Sequence, residues 1–323
     1  MNTFKSLSEC EVSKGLRSKI VYDFFASRST AFGPVEIIKT PIAPSKRESD
    51  NSYSFSLSGN EERKQRIESI FEVDLSKIPN NKIDKRITTL HSSALAVLLC
   101  FHNISSNNPL EVKINDQTYK FTEFELEFPN QCKKNGGRSK IDIALFNEDK
   151  SVVLFLEAKF SEYLESGCKK ISEQYKDEPL FMSANILPDY LYLTGIEDQK
   201  PLQLLSKNRG QGRYREGIKQ ILCHCIGANH YIHQKIKEKN VEIKNVFIGA
   251  LLFDFGDVSK ELFVDYCNMY SDLAKKINSW SDKEPELELV NKVITYQELF
   301  SSKNNENNSR ILSSKVKCYY NLY

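Results

Sequence analysis

The sequence predicts an α/β (α+β) protein in which a mixed central sheet is flanked by helices on both faces. Helical patterns, either amphipathic or wholly apolar, dominate the first hundred residues. Short runs with strand periodicity follow between residues 119 and 160, and helical and strand patterns then alternate. Because an antiparallel strand group followed by alternating elements mixes strand directions, helices are expected to cover both faces of the sheet.

The composition is that of an ordinary globular protein. The chain has 323 residues, of which 40% are hydrophobic and 27% charged, and its net charge of +2 neither demands nor excludes a nucleic-acid partner. The longest apolar run, residues 94–101, is too short to span a bilayer. The 8 cysteines form no C-x-x-C pair and are expected to be free thiols. We therefore expect a cytoplasmic protein without membrane contact.

The N-terminal region is predicted to be helical, in two segments separated by a loop. Leu16, Ile20, Phe24 and Phe25 form an apolar side of a helix within residues 1–30. Residues 40–60 are rich in Pro, Ser and Asn and predict a loop, and Glu61 to Phe71 predicts an amphipathic helix. We expect residues 1–85 to pack on a core formed by residues 86–300.

The core begins with a buried helix over residues 88–103 and continues into strands. Residues 119–128 alternate as one strand, residues 132–140 form a basic loop, and residues 141–146 and 152–160 form a hairpin. Further strands are predicted at 191–194 and 246–255, and further helices at 170–178, 213–239, 258–279 and 295–300. The tail, residues 301–323, begins with Ser and Asn and is expected to be mobile.

The hairpin carries a candidate metal site. Side chains alternate along a strand, so Glu157 and Lys159 share one face. If Phe146 pairs with Val153, Asp142 lies opposite Glu157, with Cβ atoms about 4.5–5.5 Å apart. Two carboxylates at that distance repel, and a divalent cation relieves the repulsion. Mg²⁺, with Mn²⁺ as a substitute ion, would be held by Asp142, Glu157, the carbonyl of Ala158 and water.

This site suits hydrolysis of a phosphodiester. Mg²⁺ would polarise the phosphate and lower the pKa of a bound water. Lys159 would orient that water, help deprotonate it or stabilise developing charge, and burial beside a metal would lower its pKa. The alternative is a structural ion pair, of Lys159 with Asp142 or with Glu157, in an ordinary sheet. The apolar flanks, the hairpin spacing and the basic loop favour the metal site.

The same residues resemble a known motif. Ile141-Asp142 and Leu156 to Phe160 resemble the core motif of the PD-(D/E)XK nuclease superfamily, with Ile141 in place of the usual proline. The resemblance implies a restriction-endonuclease-like fold, a nuclease core within residues 86–300 and Mg²⁺-dependent cleavage. The run EAKFSEYLESGC and the stretches His91 to Leu95 and Gln220 to His224 also resemble one branch of such proteins.

Two further polar features bear on this site. Many members of the superfamily carry another acid on the first core helix, but residues 88–103 contain none. We favour Glu125 in its place, with Glu127, Glu68 and Glu72 as alternatives. Gln220, assigned here as catalytic, and His224 lie one helical turn apart. Together they would contact a phosphate or position the attacking water, or else be polar residues satisfied within the fold.

Two basic segments are candidates for binding double-stranded DNA. Both combine glycine with Lys and Arg, which suits contact with phosphates, although solvated loops would have the same composition. The residues are Lys133, Lys134, Arg138 and Lys140 in the first segment, and Lys207, Arg209, Arg213 and Arg215 in the second. A homodimer is one expected assembly, since two-fold symmetry matches a palindromic site.

The functional expectation is a Mg²⁺-dependent nuclease that hydrolyses DNA, most simply a restriction-type endonuclease. One alternative is a repair or defence nuclease without sequence specificity. Another is a non-catalytic nucleic-acid-binding or interaction protein that retains the fold. That protein would keep the basic loops without needing the metal.

Overall fold

A computed structural model describes most of the core of the chain. It covers residues 59–83, 87, 92–130, 139–164, 242–279 and 287–323, together with helical residues at 17, 20–21, 23–25, 220–221, 224–225, 227–228 and 231. The predicted helix 170–178 and strand 191–194 lie outside these residues, as does most of the predicted helix 213–239.

The described strands form two sheets. The first is a hairpin of β1 (Leu110–Ile114) and β2 (Gln117–Phe121). The second sheet has 6 strands in the order β3-β4-β5-β6-β7, with β8 also pairing β6. Its strands are β3 (Glu123–Asn130), β4 (Ser139–Phe146), β5 (Val152–Lys159), β6 (Asn245–Leu252), β7 (Leu287–Leu289) and β8 (Ile294–Thr295).

The second sheet is mixed, as the sequence predicted. β3, β4 and β5 pair antiparallel, whereas β6 is parallel to β5, β7 and β8. Phe146 pairs with Val153, which confirms the predicted hairpin register. The turn between them is held by Asn147, whose N–H donates to the carbonyl of Val152 and whose side-chain oxygen accepts from the Val152 N–H. The hairpin that carries the candidate site is therefore fixed at its closed end.

Six α-helices with defined bounds accompany the strands in the described ranges. They are α1 (Asn60–Phe71), α2 (Ser93–Phe101), α3 (Lys260–Asn278), α4 (Tyr296–Phe300), α5 (Glu306–Ser309) and α6 (Ser314–Tyr320). The predicted helices at 61–71, 258–279 and 295–300 are thus confirmed, with small shifts at their ends. The predicted helix 88–103 is confirmed over residues 93–101, and residues 88–91 lie outside the described residues. Residues 95–101 of α2 are all buried, in agreement with their apolar pattern.

Helical residues pack against residues in and next to the central strand β5. Phe155 lies in β5, and Phe160 directly follows its last residue. The ring centroids of Tyr231 and Phe155 lie 5.7 Å apart. Those of Tyr320, in α6, and Phe160 lie 5.6 Å apart. The coarse fold class, an α+β protein with a mixed sheet and accompanying helices, is confirmed.

The predicted single strand over residues 119–128 is in fact two strands. The two strands are separated by Thr122, whose N–H donates to the carbonyl of Phe146 at 2.9 Å. Before this residue β2 pairs with β1, and after it β3 pairs with β4. A continuous alternation of apolar side chains cannot reveal such a break, because side-chain periodicity does not specify which neighbour a strand pairs with.

The tail is helical rather than mobile, so that prediction is wrong. Its Ser and Asn residues cap helices: Asn305 accepts from the N–H of Asn308, and Ser313 accepts from the N–H of Val316. Apolar residues of the tail are buried, namely Ile311, Leu312, Val316, Tyr319, Tyr320 and Leu322. The tail is therefore part of the hydrophobic core.

Two other sequence expectations concern cysteines and membranes. Cys100, Cys225, Cys267 and Cys318, which the structure describes, are free thiols. Within the described ranges, no helix combines the length and apolar character needed to cross a bilayer.

Docking of the tail can be tested at Leu322, which is fully buried. Leu322→Ala should lower the free energy of unfolding by about 2–5 kcal/mol, because it removes buried methyl groups and leaves a cavity. Urea unfolding would measure this loss. The neighbouring Tyr323 is 51% exposed, so Tyr323→Ala serves as the control. Equal, small effects of the two substitutions would contradict a docked tail.

Candidate active site

The candidate site lies where β4 and β5 separate. The antiparallel ladder between them ends at the pair Ile143 and Leu156, although β4 continues to pair with β3 as far as Ser139. Asp142 immediately precedes Ile143 in β4. Its side chain takes the place of the next backbone hydrogen bond between the strands, because its Oδ2 accepts from the N–H of Ala158 at 2.7 Å. Asp142 and Glu157 therefore flank the fork between the two strands.

Both carboxylate oxygens of Glu157 have a side-chain partner. It is 2% exposed. Its Oε1 accepts from the Lys159 Nζ at 2.5 Å, and its Oε2 lies 2.6 Å from the Nε2 of His224. The ion pair between Glu157 and Lys159, which the alternative interpretation predicted, is thus present. A buried carboxylate needs such partners, because removing its charge from water is costly.

These partners set the charge states of the pair. Burial alone would raise the pKa of Glu157, but the Lys159 ammonium and then His224 lower it to about 2. Burial also opposes the charge on Lys159, yet Glu157, Asp142 and Glu162 outweigh it and raise the Lys159 pKa above its ordinary value. Without a metal the Lys159 pKa is therefore raised, and the lowering expected beside a bound metal stays a prediction. In this state the ammonium is suited to stabilise negative charge.

Asp142 is in the opposite situation. Burial, followed by the charge of Glu157, raises its pKa well above the ordinary value, against the smaller opposing effects of Lys159 and the Ala158 N–H. The ionised form of Asp142 is therefore disfavoured in the metal-free protein. A cation placed between Asp142 and Glu157 would favour that form.

The charges acting on Asp142 include a carboxylate that the sequence reasoning missed. Glu162 raises the pKa of Asp142 as well as that of Lys159. It begins a 3₁₀ turn, Glu162–Leu164, three residues after the end of the strand that bears Glu157. Its position in the sequence, three residues after Lys159, is the one feature from which its closeness to the site could have been predicted.

The acids that the sequence favoured are exposed or have other partners. Glu125 is exposed and pairs with Ala144 across the sheet, and its catalytic role stays a prediction. Glu127 forms an ion pair with Lys140. Glu68 accepts from the N–H of Leu75, and Glu72 lies 3.7 Å from Lys315.

Of the two polar residues on the later helix, His224 reaches the site and contacts Glu157. Gln220 is partly buried, and its Oε1 is enclosed without a hydrogen-bond partner in the part of the chain that the structure describes. The sequence placed both residues on one helical face but could not show which strand residue they approach. The catalytic role of Gln220 stays a prediction.

Only one of the predicted DNA-binding residues is described. Lys140 is the second residue of β4, and its side chain is 59% exposed. The others lie outside the described residues, namely Lys133, Lys134, Arg138, Lys207, Arg209, Arg213 and Arg215.

The donor set at the fork suits a hard divalent cation. Across the described ranges, no three His, Cys, Asp or Glu side chains are already arranged to hold an ion. Mg²⁺ does not require three, because it is commonly bound by one or two carboxylates and keeps several waters. The disfavoured charge of Asp142 beside Glu157 is the feature that fits such an ion.

The chain was compared with protein-family models, curated proteins and solved structures, and none of them matched it.

The unfavourable charge of Asp142 leads to a prediction about stability. The folded chain holds the Asp142 proton more tightly than the unfolded chain, so this group lowers stability as pH rises above its ordinary pKa of 3.8. Asp142→Asn removes the charge and keeps an oxygen for the Ala158 N–H. We therefore expect Asp142→Asn to raise the free energy of unfolding at pH 7 in the absence of metal.

Urea unfolding in the presence of a chelator would measure this gain. It should shrink toward pH 4, where the wild-type carboxyl is increasingly protonated in both states. A loss of stability at pH 7, or a gain that is the same at both pH values, would contradict the assignment.

Proposed function

We propose that this protein is a Mg²⁺-dependent nuclease that hydrolyses DNA phosphodiester bonds, most simply as a restriction-type endonuclease with a restriction-endonuclease-like fold. One observation carries the proposal: a partly buried Asp142 whose charge is disfavoured lies at a strand fork beside Glu157 and Lys159. A sheet needs no such arrangement for stability, since apolar residues of similar size often serve as well.

Asp142, Glu157 and the carbonyl of Ala158 would hold the ion. When bound, Mg²⁺ supplies a polarised phosphate and a water of lowered pKa. Mn²⁺ would substitute, because it also accepts carboxylate, carbonyl and water ligands.

Lys159 and His224 supply the rest of the chemistry at the fork. The Lys159 ammonium is charged, its side chain is only 13% exposed, and it contacts Glu157. It can therefore stabilise the negative charge that develops on the phosphate. His224 holds the other oxygen of Glu157 and so fixes the orientation of this carboxylate, as partners behind a metal ligand do. Binding of substrate and cation would require Lys159 to exchange its contact with Glu157 for one with the phosphate.

DNA would be held by the two basic segments. Lys140 is available for this, because its ion pair with Glu127 is partly exposed to solvent and such pairs contribute little. The proposed contacts are with phosphates, so they position the duplex without selecting a sequence.

A second candidate function is favoured by one specific observation. Glu157 is already satisfied by Lys159 and His224 without any metal. A non-catalytic nucleic-acid-binding protein with this fold would need nothing more at that position. A nuclease without sequence specificity would use the same site as the first proposal and would differ in its products.

Plasmid cleavage tests the proposal. Supercoiled DNA with Mg²⁺ should be nicked or linearised by the wild-type protein, and a chelator should abolish cleavage. Asp142→Ala and Lys159→Ala should each lower the rate at least about a hundredfold, since each removes a group that stabilises the transition state. Lys113→Ala, at an exposed lysine of β1, is the matched control and should keep the wild-type rate.

The outcomes separate the candidates. Cleavage that persists in both site variants would refute the site. Absence of cleavage with retained DNA binding would favour the non-catalytic protein. Fragments of fixed length from a defined DNA would identify a sequence-specific enzyme, whereas a smear would identify a nonspecific one.

A further inference from the structure

Strand β3 has an irregular residue, Glu127, directly across the sheet from Asp142. The ladder between β3 and β4 pairs the residues on either side of Glu127 and Asp142, but it does not pair these two with each other. Glu127 has a φ of 48°, in the left-handed region that residues other than glycine rarely adopt. The β4–β5 ladder ends next to Asp142 as well. The backbone pairing is therefore interrupted on both sides of the proposed metal ligand.

The side chain of Lys82 holds this irregular backbone. Its ammonium donates to the carbonyl of Leu126 and, at 3.3 Å, to the carbonyl of Glu127. Lys82 ends the 3₁₀ turn Asn80–Lys82 and is only partly exposed. A left-handed conformation is unfavourable for a residue with a Cβ atom, whereas hydrogen bonds from a charged donor are stronger than those between neutral groups. The contacts of Lys82 therefore stabilise the conformation that Glu127 adopts.

The irregular backbone turns the next side chain, Phe128, onto the face of the proposed site. Phe155 lies two residues before Glu157 in β5 and so shares that face. The ring centroids of Phe128 and Phe155 lie 5.3 Å apart, which places Phe128 there too. Regular alternation would direct it to the other face, because its ladder partner Ile141 is adjacent to Asp142 in β4. Irregular strand residues commonly redirect a side chain in this way.

Phe128 supports the helical segment that carries His224. Tyr231 lies on this segment, and its ring centroid is 5.8 Å from that of Phe128 and 5.7 Å from that of Phe155. Tyr231 follows His224 by seven residues, about two helical turns, so both side chains lie on one side of the helix. His224 in turn contacts Glu157 through its Nε2 at 2.6 Å. The position of the Phe128 ring thus affects the contact that orients Glu157.

We infer that Lys82 is a positioning residue of the proposed site. By holding Glu127 in its left-handed conformation, Lys82 keeps the Phe128 ring against the segment that carries His224. Lys82 acts through the backbone of β3 rather than by contact with substrate or metal. This inference rests on the proposed nuclease function, and it connects the N-terminal region of the chain to the same site.

Removal of the ammonium tests this role. Lys82→Met keeps the length of the side chain but cannot donate to the two carbonyls. Plasmid cleavage should therefore slow about tenfold, as is typical when the groups behind a metal ligand are disturbed. Lys82→Arg retains donors for the carbonyls and should keep much of the rate. Lys77→Met is the matched control, because Lys77 is an exposed lysine of the same segment, and it should cleave as the wild type does.

A backbone rescue separates positioning from general damage. Glycine adopts a positive φ readily, whereas alanine does not. In the Lys82→Met background, Glu127→Gly should therefore restore most of the lost rate, and Glu127→Ala should not. Both second substitutions remove the same ion pair with Lys140, so its loss cannot account for a difference between them. Equal rates in the two double variants, or equal rates in Lys82→Met and Lys77→Met, would overturn the inference.

The imidazole of His224 supplies a readout other than cleavage. In protein with nitrogen-labelled histidine, the nuclear magnetic resonance signal of His224, assigned by its loss in His224→Gln, reports the contact with Glu157. This signal should shift in Lys82→Met and return toward its wild-type position when Glu127→Gly is added. If Lys82→Met does not fold, Phe128→Leu decides, because it removes the ring and leaves Lys82 in place. An unchanged His224 signal in that variant would also overturn the inference.

The two proposals fail in different ways. A wild-type protein that does not cleave DNA, with a His224 signal that still depends on Lys82, refutes the proposed function and leaves the structural link intact. A wild type that cleaves DNA, with a rate and a His224 signal that Lys82→Met does not change, refutes only the role of Lys82.

Discussion

The buried, ionised carboxylate of Glu157 is the constraint on which the site depends. Such a charge is tolerated inside a sheet only when each oxygen has a partner. One partner, Lys159, is supplied by the same strand, and the other, His224, comes from 67 residues further along the chain. The helical segment that carries His224 must therefore pack on the Glu157 face of the sheet. Tyr231, on the same segment, continues that packing onto Phe155 and Phe128.

The two acids at the fork differ in a way that suggests a working site rather than a structural one. Glu157 is stabilised as an anion by its neighbours, whereas the charge of Asp142 is disfavoured by burial and by Glu157. A purely structural ion pair gains nothing from a second, poorly stabilised carboxylate. A cation site does, because the bound ion recovers the free energy that the empty site lacks. Stability lost in the metal-free state would thus be regained as metal affinity.

The sequence predicted the parts of this arrangement that depend on local pairing. The register of Phe146 with Val153 followed from the length of the turn, and the shared face of Glu157 and Lys159 followed from strand alternation. The contact of His224 with Glu157 could not be predicted, because it depends on how a distant helix packs. The break at Thr122 and the helical tail were missed for a similar reason: pairing partners and caps become evident only once the neighbouring elements are known.

The most direct test of the account is to locate a cation in the protein. Crystals soaked in Mn²⁺ should give an anomalous peak about 2–2.5 Å from carboxylate oxygens of both Asp142 and Glu157. The account predicts that this peak is lost in Asp142→Asn. A Mn²⁺-saturated crystal without a peak at the fork, and with Glu157 still bound to both Lys159 and His224, would contradict it.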